Sequence, residues 1–413
     1  MRILLLNCVY RNGSTGKILA DTRSFLIESD VNTYVGYGNF ESKEVGNIEK
    51  FGLKWETKLY SILSKLGYPQ YASSPLSTYR LIKYIKKVRP DVVHLHCLNG
   101  YCVNVFQLLK YLSRKHIKTV VTHHAEFYYT GNCEHAYECD RFYTQECQYC
   151  IRPRYATKSR TMICTSHFSW KQMKRAFSEF DRQDLIFTAV SPWVKQRSML
   201  SPIVNTFPCI VVMNGLDTSV FYRRQKKALE IVEIKKLGFL NVVLHVTAAF
   251  LPNDKEHIKG GYYVVELAKS MPTVAFVIIA SYSNVDVELP ANVFVVGSMA
   301  DQNMLAEYYS SCDVTLLTSK KETFSMVTAE SLCCGTPVVG FKAGGPESIT
   351  LENYSFFANY GDWESLKDYL LTALSKKYVR EDIAKEAHKK YAKEVMAQGY
   401  LELYKNLLCN ETK

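Results

Sequence analysis

The 413 residues include 47% hydrophobic and 22% charged side chains, which excludes an extended disordered chain and allows two or three cores at roughly 150 residues per domain. The 51 basic against 40 acidic side chains leave a net charge of +11, which suits weak attraction to anionic lipid surfaces, phosphorylated substrates or nucleic acid, and equally a solvated basic surface. The longest apolar run, near Val274 to Ala280, falls far short of the roughly 18 residues of a spanning helix, so no membrane span is expected.

The opening run Met1 to Leu6 is interrupted at Asn7 and followed by Arg11-Asn12-Gly13-Ser14, so it reads as a first buried strand rather than a secretory signal. Thirteen scattered cysteines without such a signal point to thiols in a reducing cytoplasm. Asn12-Gly13-Ser14-Thr15-Gly16-Lys17 follows that strand and precedes a helix, so Gly13 and Gly16 let backbone approach a phosphate or an acceptor closely. A P-loop needs four residues between its first glycine and Gly-Lys-Ser/Thr. Here two separate Gly13 from Gly16-Lys17-Ile18, which excludes that kinase or ATPase signature.

Leu76 to Val88 steps as a helix with Leu81, Ile82 and Ile85 on one face, and Pro90 ends it before the strand Asp91 to His96. Strands follow at Thr119 to Thr122 and Leu185 to Val190, a rhythm of parallel sheet with crossover helices. Thr122-His123-His124-Ala125 ends one strand on the side where open α/β sheets place ligands. A lone strand-end histidine is more often a satisfied core residue than a catalyst, and His94, His96 and His123 are less favoured substitutes for His124.

Cys133, Cys139, Cys147 and Cys150 fall close together and could bind structural zinc, yet only Cys147 and Cys150 form a C-x2-C pair, so free thiols or local packing are preferred. Ser191-Pro192 marks a helix N-cap. Ser201 to Pro208, with two prolines, reads as a linker, placing a boundary near residue 205. Strand patterns then restart at Cys209 to Met213, Asn241 to Val246, Val274 to Ala280, Val293 to Val296, Asp313 to Leu317 and Pro337 to Phe341, implying a second doubly wound sheet. The fold class is therefore α/β, and Arg380 to Leu408 forms a long packing helix.

The strongest local signal is Glu322-Thr323-Phe324-Ser325-Met326-Val327-Thr328-Ala329-Glu330. If a helix begins near Ser325, Glu322 precedes it and Glu330 lies in its second turn, both near unpaired N–H groups that attract anions. A diphosphate could sit at the Phe324 and Ser325 amides while the carboxylates accept bonds from flanking hydroxyls. The bland reading is an amphipathic helix with two surface glutamates.

Glu322, Phe324, Ser325 and Glu330, with the trailing Cys334-Gly335-Thr336-Pro337-Val338-Val339 and Gly344-Gly345-Pro346-Glu347, resemble the E-x7-E signature of family 4 glycosyltransferases, bacterial polysaccharide-biosynthesis type. The resemblance implies the GT-B fold, two Rossmann-like parallel-sheet domains facing across a cleft, and sugar transfer from a nucleotide sugar with retention. It implies that Glu322 contacts the donor hexose, that Phe324 and Ser325, beside Met326, meet the diphosphate, and that Glu330 holds the ribose. Asn214-Gly215-Leu216-Asp217 with Phe221 resembles the family's turn opening the second domain, and Lys259-Gly260-Gly261 its Lys-Gly pair, Lys259 neutralising the departing diphosphate.

The chain departs from the family in two places. Val246-Thr247-Ala248-Ala249-Phe250 stands where an arginine is usual, leaving Lys255, another cation or the amides to compensate. His124 matches the histidine of the T-x-H-D turn, which implies a contact to a hexose hydroxyl, but Ala125 replaces the aspartate. The implied organisation is an acceptor-side domain over 1–205, a nucleotide-sugar domain over 206–385, and a helix over 386–413 packing back on the first. No Asp-x-Asp stands at a strand end, so no catalytic metal or other cofactor is expected, the nucleotide sugar being a substrate.

The basic balance and tyrosines such as Tyr101 and Tyr128-Tyr129 suit a glycan or lipid-linked acceptor at the inner membrane face, with peripheral contact to anionic lipid. Similarly placed cysteines occur in polysaccharide branches of that family, implying a stabilised loop near the acceptor. A nucleotide-sugar 2-epimerase shares the architecture and stays open as an alternative. So does a basic RNA-binding protein, for which no aromatic-basic repeat appears.

Overall fold

Runs of β-branched and aliphatic residues flanked by amphipathic helices dictate parallel sheets covered on both faces, and the computed structural model contains two. It describes residues 1–40, 42, 44, 46–152, 163–283 and 288–409. They divide into two compact units, Met1–Met213 with Met396–Lys413, and Asn214–Val395.

Unit 1 holds strands β1 (Arg2–Asn7), β2 (Asn32–Tyr37), β3 (Ile48–Lys50), β4 (Val92–Leu95), β5 (Lys118–His123), β6 (Leu185–Ala189) and β7 (Cys209–Val211). All pairings are parallel, in the order β3-β2-β1-β4-β5-β6-β7. The order reverses between β1 and β4, and such a switch point opens a crevice at the carboxyl ends of the two strands. There the loop after Asn7 and the segment from His96 meet, with the His96 amide donating to the Leu6 carbonyl at 2.8 Å.

Unit 2 holds β8 (Asn241–Phe250), β9 (Val274–Ser283), β10 (Val293–Gly297), β11 (Val314–Leu317), β12 (Val338–Phe341) and β13 (Ser355–Ala358), all parallel, in the order β10-β9-β8-β11-β12-β13. Its switch point lies between β8 and β11. The loops after those strands are therefore the ones the topology brings together.

Several sequence expectations need correction. Cys209 to Met213 does not open the second sheet: β7 extends the first, with Phe187 opposite Cys209 and Ala189 opposite Val211. The division accordingly follows Met213 rather than residue 205. Arg380 to Leu408 is two helices, Arg380–Tyr391 and Lys393–Cys409, because Ala392 between them is extended and bridges Leu216. Helix Pro75–Val88 buries Leu81, Tyr84, Ile85 and Val88, while Ile82 lies at the edge of the stripe.

Met396, Tyr400, Tyr404 and Leu407, one helical face, join Ile3, Leu5, Val92 and Val120 in the core of unit 1. Each such large side chain contributes about 1.5–3 kcal/mol by burial. The second core gathers around Val243, Phe276, Val314 and Val339. Among the described residues no helix is long and apolar enough to cross a membrane.

Candidate functional site

In unit 2 the loop after β8 is zipped to the loop after β11. The Lys320 amide donates to the Ile258 carbonyl at 2.8 Å, and the Thr318 hydroxyl to the Lys259 carbonyl at 3.0 Å. Gly260, at φ +67°, lies so close that a Cβ there would stand 2.1 Å from the Thr318 oxygen, so only glycine fits. This close approach sets Lys259 Nζ 2.5 Å from Glu322 Oε1, both side chains about a quarter exposed. Glu322 is pinned by its backbone: its amide donates to the Ala343 carbonyl at 3.0 Å, and its carbonyl accepts from Gly345 at 2.8 Å. Glu347 holds the same turn, accepting from the Ala343 and Gly344 amides at 2.9 and 2.8 Å.

Three residues on, Ser325 caps helix Met326–Cys333, its hydroxyl accepting from the Thr328 amide at 3.2 Å. The helix's first amides have no intrahelical acceptor and carry its positive end. Ser325 holds φ 79°, rare for a residue with a side chain, and the strain is met by the cap and by Phe324, which is buried against Tyr391 with ring centroids 6.4 Å apart. Glu330, one turn on, accepts from the Tyr309 hydroxyl at 3.0 Å, which fixes one oxygen and aims the carboxylate. A cation, two carboxylates and a helix N-terminus thus gather beyond the carboxyl ends of the sheet's central strands. That set can bind a diphosphate between hydroxyl-bearing groups.

Asn214 and Gly215 do not join this group in the described contacts. Gly215 packs against the chain at Lys393, whose Cα would lie 2.5 Å from an added Cβ, and the Lys393 amide donates to the Leu216 carbonyl at 2.9 Å. Asn214 is buried, and its Oδ1 has no hydrogen-bond partner among the described residues. Lys255 is exposed over the Tyr262 ring, 5.6 Å from its centroid. The family's arginine position falls within β8 itself, which runs on to Phe250 with Thr247 opposite Ala280, so no cation projects there.

In unit 1 the strand ends carry rings instead of charges. His94 is hydrogen-bonded to Tyr404 Oη at 2.6 Å and to Thr122 Oγ1 at 2.7 Å, and Thr122 to Thr188 at 2.5 Å. His96 Nδ1 lies 2.9 Å from His124 Nε2, which requires one bare nitrogen and one N–H, so both rings cannot be cations together. Burial holds His94 and His96 well below the usual imidazole range and His123 and His124 down to about 3. His124 is 8% exposed, the other three wholly buried. Sequence reasoning favoured His124 over the other three; the structure pairs His96 with His124, bonds His94 to the Tyr404 and Thr122 hydroxyls with its ring centroid 4.0 Å from that of His96, and packs His123 flat on Phe187, with centroids 5.0 Å apart.

Gly13, at φ +63°, begins helix Gly13–Glu28 with no atom within 4 Å of an added Cβ, whereas Gly16 is tight under its own loop and accepts from the Arg11 amide at 3.0 Å. Tyr128 and Tyr129 are wholly buried; the Tyr128 hydroxyl donates to the His96 carbonyl at 2.9 Å. They support the histidine loop rather than meeting an acceptor.

Residues 283–390 match the family described as glycosyl transferases group 1. That stretch contains Glu322, Phe324, Ser325, Met326 and Glu330. N-acetyl-alpha-D-glucosaminyl L-malate synthase of Bacillus anthracis is 26% identical over 115 residues, 27% of this chain and 30% of that protein. The chain spans less than a third of the length of the curated relatives it matches first. Sucrose-phosphate synthase of Thermosynechococcus elongatus superposes with TM-score 0.67 at 14% identity, over 99% of this chain and 100% of that one. Anabaena HepE, solved with UDP and glucose, gives 0.61 at 16% identity, over 98% and 99%. With the two parallel-sheet units, these likenesses establish the GT-B fold.

Both units also hold residues that motif reading passed over. Tyr309 carries no signal beyond an aromatic on a helix, yet it orients Glu330. Glu126, in unit 1, is wholly buried and accepts from Arg197 Nε, the Tyr129 hydroxyl and the Ala136 amide. Arg197 also donates to the Tyr137 and Cys139 carbonyls at 2.7 and 3.3 Å, so this ion pair staples the cysteine-rich loop. Cys133, Cys139, Cys147 and Cys150 of that loop form no disulfide. Elsewhere in unit 1, His116, Asp181 and Asp184 bring three possible metal-ligand atoms within 4.8 Å of one another.

Proposed function

We propose that the protein is a retaining glycosyltransferase that moves a hexose-type sugar from a nucleoside-diphosphate sugar to a hydroxyl of a glycan or lipid-linked acceptor, as in surface-polysaccharide assembly. The observation that carries the reading is the Lys259–Glu322 contact of 2.5 Å beside the capped N-terminus of helix Met326–Cys333, inside the segment matched by the group 1 family. Lys259 neutralises the diphosphate, the helix amides hold it, Glu322 receives a sugar hydroxyl and Glu330 the ribose. The bond from the anomeric carbon to phosphate oxygen breaks as the bond to acceptor oxygen forms on the same face. The acceptor proton passes to the departing phosphate oxygen, so no protein nucleophile is required. His124, neutral and at the edge of its network, offers a ring nitrogen to a sugar hydroxyl.

Support for a nucleotide-sugar donor comes from the neighbour solved with UDP and glucose. The test is release of nucleoside diphosphate from a panel of UDP-, GDP- and ADP-sugars, with Glu322→Ala as control. Release from one donor, abolished by the substitution, supports the reading. Silence across the panel with no donor bound defeats it, and conversion of a donor with no acceptor present reassigns the protein as an epimerase.

A further inference from the structure

Helix Lys54–Lys65 of unit 1 turns its apolar stripe outward. Trp55, Leu59, Ile62 and Leu66 recur at the helical step and are 56, 43, 51 and 60% exposed, whereas the helix buries only Glu56 and Ser64. At 100° per residue, Lys54, Lys58 and Lys65 all fall on one flank of that stripe, and all three are exposed. The following helix, Pro75–Val88, adds exposed Arg80, Lys83, Lys86 and Lys87.

Between Phe51 and Pro90 the only acidic residue is Glu56, and it is withdrawn from the surface. At 1% exposure, its carboxylate accepts from the Leu76 and Ser77 amides at 2.9 and 2.8 Å and from the Ser77 hydroxyl at 2.5 Å, locking the start of the second helix to the first. What remains outside is a rigid, uniformly cationic face with an aromatic and three aliphatic side chains along it.

We infer that this face lies on an anionic lipid bilayer, with Trp55, Leu59, Ile62 and Leu66 in the acyl boundary and the flanking lysines at the lipid phosphates. Charge complementarity selects the occupant: a second copy would bring like charges together, and a nucleic acid would leave the aliphatic stripe in water. The twelve-residue helix, about 18 Å long, suits an in-plane rather than a spanning placement. The inference goes beyond the donor reading and does not rest on it.

The test is co-sedimentation of the full chain with phosphatidylcholine vesicles, with and without phosphatidylglycerol. Binding is expected on the anionic vesicles, with Trp55 fluorescence quenched by brominated lipid and the quenching reduced in Trp55→Phe. Leu59→Ser/Ile62→Ser lowers partitioning at least tenfold. Lys54→Glu/Lys58→Glu lowers it more than tenfold on anionic vesicles alone. These positions are exposed, so an unchanged circular-dichroism melt keeps the comparison valid, and the single variant Leu59→Gln stands in if a double variant melts early. Binding that ignores both pairs, absence from anionic vesicles, or retention on RNA without vesicle binding each overturns the assignment. Vesicle binding without nucleoside diphosphate release keeps it and sinks the donor reading instead.

Discussion

At the switch point of unit 1, between β1 and β4, the loops carry neutral imidazoles; at that of unit 2, between β8 and β11, they carry a lysine–carboxylate pair. The same topology has been filled with opposite electrostatics. Burial explains the difference. His96 and His124 are buried against each other, where desolvation disfavours their charge, whereas Lys259 and Glu322, about a quarter exposed, stay accessible to a charged ligand.

Acid is the largest lever on that contrast. The native pKa values of His94, His96, His123 and His124 lie below the unfolded value of about 6.5, so the unfolded chain binds protons first. Their contribution is complete above that pH and is lost as pH falls below it, by up to about 2 kcal/mol per ring at about pH 5. Unit 2 has one comparable ring, His245, held down to about 4. Amide exchange by peptide should show β5 opening before β12 as pH drops from about 7 to about 5. Simultaneous opening would erase the contrast.

Lys259→Ala comes next: nucleoside diphosphate release should fall about 10²- to 10³-fold, while the melting curve barely moves because the pair is partly exposed. Lys259→Arg should not restore it fully, since the guanidinium fork differs from a point charge. His124→Phe, which keeps the ring volume and removes the nitrogen, should cost about tenfold in turnover and leave donor affinity alone, read as kcat against KM. The smallest effect is Tyr309→Phe, expected to weaken donor binding by about three- to tenfold by removing one hydrogen bond that orients Glu330, as calorimetry would show.

What sequence could disclose follows this division. The helix start at Ser325 and the placement of Glu330 are local, set by a cap residue and the helical step, and they stand where the spacing put them. The meeting of Lys259 with Glu322, 63 residues apart, depends on β8 lying beside β11 and became visible only through sheet order. The allegiance of β7 was misread for the same reason, since an apolar run does not say which sheet it joins. Strands β2 and β3 gave little signal: Asn32–Tyr37 is NTYVGY, mixed in polarity, and Ile48–Lys50 is three residues long. The histidines were readable as strand-end residues, but the burial that keeps them neutral comes from afar in sequence: Tyr404, 310 positions on, and Tyr400 pack against His94, and Phe187 against His123.

Those two tyrosines belong to the segment from Met396 onward, which returns to unit 1 after all of unit 2 has intervened. On a ribosome, therefore, the second unit has its full complement of residues before the first does. The first must wait, with the flank of β1 and β4 uncovered, for the last helix to emerge. A stall or nick after Val395 would leave a finished unit 2 tethered to an unsealed neighbour, a natural substrate for chaperones and proteases.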